Sequence, residues 1–127
     1  MIIIGHKLVD FKPFHVVKKA EEIVKSPVIF EFDEENFVLF RTICKEKEIT
    51  FAVKTNSVKE AVIANAAGAF YIVAETKKAA IKIQHIAEHY LFDSKVLLCC
   101  SDDSIASAIY AGIDGVLLPQ GVINGNF

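Results

Sequence analysis

The sequence predicts a single α/β domain with a mostly parallel sheet. Three observations carry this. Short apolar runs rich in β-branched and aromatic residues start at positions 28, 49, 70, 96 and 114, so they recur 18 to 26 residues apart. The stretches between them have the length and periodicity of helices. Apolar residues make up 53% of the chain, which suits strands buried on both faces. Strands alternating with such helices form parallel sheets with right-handed crossovers. The expected order is doubly wound and flavodoxin-like, with five strands and helices on both faces. A half TIM-barrel is the alternative. The β–α repeat domain covers 28–119. Residues 1–27 read as an N-terminal arm (strand and short helix), and 120–127 as a loop or frayed tail.

In the arm, Ile2–Ile4 is a candidate strand, Lys12–Val17 an extended piece around Pro13, and Lys18–Lys25 a short amphipathic helix. The first repeat strand, VIFEF at 28–32, leads into a helix over 34–46 with Phe37, Phe40, Ile43 and Cys44 on its apolar side. After ITFAV at 49–53, Ser57 and Glu60 match the S-x-x-E capping box of a helix that Gly68 closes. That helix, 57–67, is apolar nearly all round, which predicts burial on more than one side and makes it the first candidate for a subunit interface. After FYIVA at 70–74, Thr76 is placed to cap a helix with the apolar stripe Ala79, Ile83, Ile86, Ala87 and Tyr90. Lys78, Lys82, Gln84, His85 and His89 fall largely on its other side. After VLLCC at 96–100, Ser101, Asp102 or Asp103 can cap a helix ending at Gly112, which leads into DGVLL at 114–118. The Ala-x-x-Ala-Gly segments at 64–68 and 108–112 echo each other two repeats apart, an architectural signal for close helix–sheet packing.

Composition narrows the functional classes. Fourteen basic and sixteen acidic residues are well mixed, with no basic stripe, so a nucleic-acid partner is not expected. Three cysteines cannot make a disulfide framework, and a reducing cytoplasmic setting is the expectation. The N-terminal apolar run is too short for a signal peptide, and no stretch approaches the roughly 20 apolar residues that span a bilayer. His85-x-x-Glu88-His89 matches the inverted zinc-peptidase pattern but sits on a polar helix face, and no metal is expected. Phe30-Glu31-Phe32-Asp33 lacks the aspartate pair of the haloacid-dehalogenase phosphatases. No Gly-rich nucleotide loop occurs.

A parallel sheet binds its ligands beyond the C-terminal ends of its strands. The residues there are Asp33 after the first repeat strand (with Glu31 just inside), Lys54 and Asn56 after the second, Glu75 after the third, and Ser101 and Asp102 after the fourth. These are the ligand-binding candidates. Each acid has an alternative use as a helix cap or first-turn charge. Lys54 directly follows an apolar strand, where desolvation can make a lysine a nucleophile. Its plainer use is an ion pair with Glu31, Asp33 or Glu75.

The stretch FAVKTNSVKEAVIANAAGAFYIVAE resembles the first barrel strand and helix of the pyridoxal-phosphate-dependent decarboxylases of the alanine-racemase fold, which carry an AVK-x-N segment. More loosely, 28–119 is similar to half of that barrel. The resemblance implies a Schiff-base role for Lys54 with pyridoxal phosphate, and matches Asn56 to the family asparagine.

The function expected is a non-enzymatic binding or interaction domain that needs no cofactor and is capable of self-association as a homodimer. The alternative is a Lys54-based enzyme or sensor that takes pyridoxal phosphate or another small anionic ligand.

Overall fold

A computed structural model of the chain describes residues 1–126. In chain order its elements are β1 (Ile2–Ile4), β2 (Phe14–Val16), β3 (Val28–Glu31), α1 (Phe37–Glu46), β4 (Phe51–Lys54), α2 (Val58–Ala66), β5 (Tyr71–Ala74), α3 (Lys77–His89), β6 (Lys95–Cys99), α4 (Ile105–Tyr110), β7 (Gly115–Leu117) and β8 (Val122–Ile123). Short 3-10 turns lie at 20–22, 102–104 and 119–121.

The local signals act as their chemistry dictates. Ser57 accepts a hydrogen bond from the Glu60 amide, and Thr76 accepts one from the Ala79 amide, so both helices start at a side-chain cap. The Glu60 carboxylate departs from the capping-box pattern and takes the Thr55 hydroxyl at 2.6 Å. α1 begins at Phe37 rather than 34, because Asp33 folds the chain into a turn first: its Oδ1 accepts the Glu35 amide and its Oδ2 the Asn36 side-chain amide.

All eight strands are parallel and lie in one sheet, in the order β1-β7-β6-β5-β4-β3-β2-β8. Three expectations are corrected here. The sheet has eight strands, not five. The added strands come from 1–27 (β1, the candidate strand Ile2–Ile4, and β2, within the extended piece 12–17) and from the tail (β8), and none exceeds three residues. The order is not doubly wound: from β2 to β7 the strands follow the chain without the reversal that creates a flavodoxin-like switch point. Nor do helices cover both faces. Phe30, Val53, Ile72, Val96 and Val116 pack in one cluster with residues of α1 to α4, whereas Ile29, Ala52, Val73, Leu97 and Leu117 form a second cluster that contains no helical residue.

The second cluster is the inside of a curled sheet. It collects residues from all eight strands, including Ile4 of β1 and Val122 of β8 at the two edges of the order. Phe14 of β2 and Tyr71 of β5 meet edge-on with ring centroids 5.5 Å apart. A flat sheet would hold strands three steps apart at about 14 Å. The two edges approach each other: a Cβ on Gly5, after β1, would lie 2.6 Å from the amide nitrogen of Gly121, before β8. The half-barrel alternative therefore describes the architecture, with parallel strands inside and helices outside, in a chain about half the roughly 250 residues of a full barrel.

Two helix readings change as well. α2 buries one side only, through Ala61 and Ala64, and leaves Val62 and Ile63 exposed. On α3, Gln84 is buried rather than on the polar side. Its Oε1 accepts the Asp114 amide at 2.9 Å, tying the helix to the entry of β7. Among the described residues no helix is long and apolar enough to cross a membrane.

Candidate functional site

Parallel strands end at one rim, and the two-residue period of a strand decides which side chains turn inward there. Ile29 and Ala52 face the interior cluster while Phe30 and Val53 face the helices, so Glu31 and Lys54 point inward in turn. Register seats them side by side, Glu31 opposite Lys54. Val73 is interior and Ala74 is not, which brings Glu75 inward at the end of β5.

The three form an ion-paired group at the mouth. Lys54 Nζ lies 3.5 Å from Glu31 Oε1 and 3.2 Å from Glu75 Oε1. Lys54 is 9% exposed, whereas the Glu31 and Glu75 side chains are 74% and 50% exposed. Asn56 fixes one member, since its Oδ1 accepts the Glu75 amide at 2.9 Å and so ties the β4 loop to the β5 loop. Thr55 is occupied structurally, donating to Glu60 and accepting from the Ser57 amide.

Cys99, at the end of β6, continues the inner wall, and Cys100 turns to the helix side. Burial pushes the Cys99 thiol up to about 12, against the pull of the nearby Lys54 ammonium. Burial thus favours the protonated thiol at this wall position. Burial raises the Cys100 thiol too. Beyond these strand ends lies a cleft of about 300 Å³, lined by Glu75, Cys99, Ser101, Leu117 and Val122 among others.

A second cavity, of about 400 Å³, continues from the first. Ser101, Leu118 and Pro119 line both, and His6 and Asp102 close its far end. The His6 Nε2 and Asp102 Oδ1 atoms are 2.9 Å apart, which joins the end of β1 to the loop after β6 across β7. His6 Nδ1 accepts the Leu8 amide at 3.1 Å.

Of the residues singled out from sequence, Lys54 and Glu75 are in direct contact, Asn56 supports Glu75, Ser101 lines the cleft, and Asp102 lies at the far end of the groove. Asp33 is apart from them. It makes the turn before α1 and lines a separate cavity beside Glu31. The pairing open for Lys54 is made with Glu31 and Glu75. His6 was not anticipated. The candidate strand Ile2–Ile4 ends just before it, but only the pairing of β1 with β7 places it at this rim. His85, Glu88 and His89 lie on α3 with His85 and His89 exposed, away from the mouth. Among the described residues no group of three or more His, Cys, Asp or Glu side chains is placed to hold a metal ion.

No protein-family model matches the chain, and no curated protein does. Among solved structures it is similar to thiamine phosphate pyrophosphorylase from Pyrococcus furiosus, at 13% identity over 89% of each chain, with a TM-score of 0.44. That likeness carries no functional argument. Of the decarboxylase resemblance, only the half-barrel, all-parallel architecture is shown; nothing supports the alanine-racemase fold or the AVK-x-N segment.

Proposed function

We propose that the chain is a small-ligand-binding domain whose site is the mouth of the curled sheet, where Lys54 holds a carboxylate or other singly charged oxygen group of the ligand. The burial of Lys54 is the observation that carries this reading. Lysine is among the residues least often buried, and a lysine kept only for solubility extends its ammonium into water. Here the ammonium is buried at the inner rim, 3.2 Å from the carboxylate of Glu75, which lines the cleft.

The ion pairs leave a route in. The Glu31 contact is the longer one and its side chain is well exposed, so an incoming anion can replace it by rotation of one side chain. Glu75 stays, because Asn56 pins its backbone. The same surroundings fit pyridoxal phosphate poorly. No Gly-rich loop follows Lys54 to receive its phosphate.

Titration with acetate, butyrate and hexanoate, followed by amide chemical shifts, tests the proposal. Saturable shifts are expected at residues 54, 75 and 99 and should vanish in Lys54→Met, which keeps an apolar stem of similar length. Shifts that persist in that variant would discard the site. Pyridoxal phosphate added in parallel should give no Schiff-base absorbance that depends on Lys54. Such a band would favour the covalent enzyme or sensor reading.

Self-association is a second reading, favoured by the exposed Val38 and Leu39 of α1 and Val62 and Ile63 of α2. Helices α1 and α2 flank β4 in the chain. Light scattering should report a homodimer that Val62→Glu dissociates. A clean monomer at micromolar concentration removes this reading.

A further inference from the structure

At the opposite end of the sheet, where the strands begin, lies a cavity of different character. It has a volume of about 500 Å³ and sits at the start of β4, by the C-terminal ends of α1 and α2. Arg41 and Lys45 of α1 line it, and so does Phe70, the residue before β5. Arg41 is half-buried, yet among the described residues its guanidinium makes no hydrogen bond and no ion pair. Its helical neighbours three and four residues away are Phe37, Val38, Cys44 and Lys45, none of them an acid. The helix dipole does not account for it either, because that effect is confined to the last turn, where Lys45 already stands.

Phe70 is the second observation. It is 55% exposed, on a backbone that is held from both sides. Its amide donates to the Phe51 carbonyl at 2.9 Å, and its carbonyl accepts the Lys95 amide at 3.0 Å. Tyr71 meets its ring edge-on, with centroids 4.8 Å apart. The ring is a preset apolar surface that loses little freedom when a ligand covers it. An unpaired guanidinium and an exposed ring that line one cavity fit an anion with an aromatic body. The remaining charges limit that anion. Glu48 lines the same cavity, and two helices end beside it with their negative poles, so a single charge fits better than a phosphate dianion. A carboxylate also matches the guanidinium fork with two parallel hydrogen bonds.

We infer that this cavity binds a small aromatic carboxylate, with the carboxylate on Arg41 and the ring on Phe70. The site shares no lining residue with the clefts at the Lys54 end and does not depend on the reading of Lys54.

Phenylacetate is the probe, followed by amide chemical shifts, with phenylacetamide as its neutral counterpart and cyclohexylacetate as its non-aromatic one. Saturable shifts are expected at Arg41, Lys45, Gly68 and Phe70. Phenylacetate should bind at least about fivefold tighter than phenylacetamide, the scale of one partly exposed charge pair. Arg41→Met keeps an apolar stem and should erase that difference. Arg41→Lys keeps the charge without the fork and should retain only part of it. Phe70→Leu should bring phenylacetate down to the affinity of cyclohexylacetate while the preference for acid over amide persists. Unshifted amide resonances far from each substitution check that the variant is folded. Equal affinity for acid and amide, a difference that survives Arg41→Met, a preference for the aromatic ring that survives Phe70→Leu, or shifts confined to residues 54, 75 and 99 would overturn the inference.

Discussion

Gly115→Val should unfold the β1 seam and destabilise the domain by at least about 3 kcal/mol, at the upper end of overpacking costs. Gly115 pairs with Ile2 on one side and Leu97 on the other. A Cβ there would run into the Ile2 carbonyl oxygen, lie 2.6 Å from the Ile2 Cβ and lie 2.8 Å from Leu97 Cδ2. The Leu97 side chain can give way by rotation, but the Ile2 backbone cannot without leaving the ladder. The three-residue strand β1 is held by its register with β7 and by the Ile2 amide on the Asp114 carbonyl, so it is the element that gives. Urea denaturation measures the loss. Amide exchange locates it: the Leu118 amide, which donates to Ile4, should lose protection before the amides of β4 and β5 do. An unchanged midpoint would mean that β1 does not sit against Gly115.

Phe14→Ala should cost about 3–5 kcal/mol, the usual range for a fully buried phenylalanine. Phe14 is 0% exposed and lies at the centre of the interior cluster. Its larger value is as a test of the curl. Its edge-on contact with Tyr71 joins β2 to β5 across two intervening strands. A double-mutant cycle of Phe14→Ala with Tyr71→Ala should give a coupling of about 0.5–1.5 kcal/mol, the range of aromatic pairs. In a flat or doubly wound sheet the two residues are too far apart to couple, so additive effects would refute the curled sheet. Burial also raises the Tyr71 phenol above its ordinary value. The phenolate is thus disfavoured in the folded state, and Tyr71 contributes stability that is lost as pH rises past the ordinary tyrosine range.

The repeat strands were legible because each holds three or four consecutive apolar residues with a helix after it, as VIFE, FAVK, YIVA and KVLLC show. The helix starts at Ser57 and Thr76 were legible because a cap is a local bond between residues three apart. Strand-end polarity was legible too, which is why Lys54 and Glu75 could be named before any geometry was known. Gln84 was not. A glutamine among lysines and histidines reads as solvated, and only the Asp114 amide facing it explains its burial.

By itself, then, the sequence determined the β–α alternation, the parallel direction and the rim where polar groups collect. These follow from local periodicity and capping, which need only neighbours along the chain. Tertiary structure alone decided that β1, β2 and β8 join the sheet, that the sheet curls, and that one face packs on itself while the other packs on helices. Those outcomes depend on contacts between residues far apart in sequence, such as Ile2 with Gly115, Phe14 with Val122 and Phe14 with Tyr71. The curl also sets the site. It turns Lys54 from a strand-end lysine into a buried cation between two carboxylates, and it brings His6 to the groove whose far end Asp102 forms.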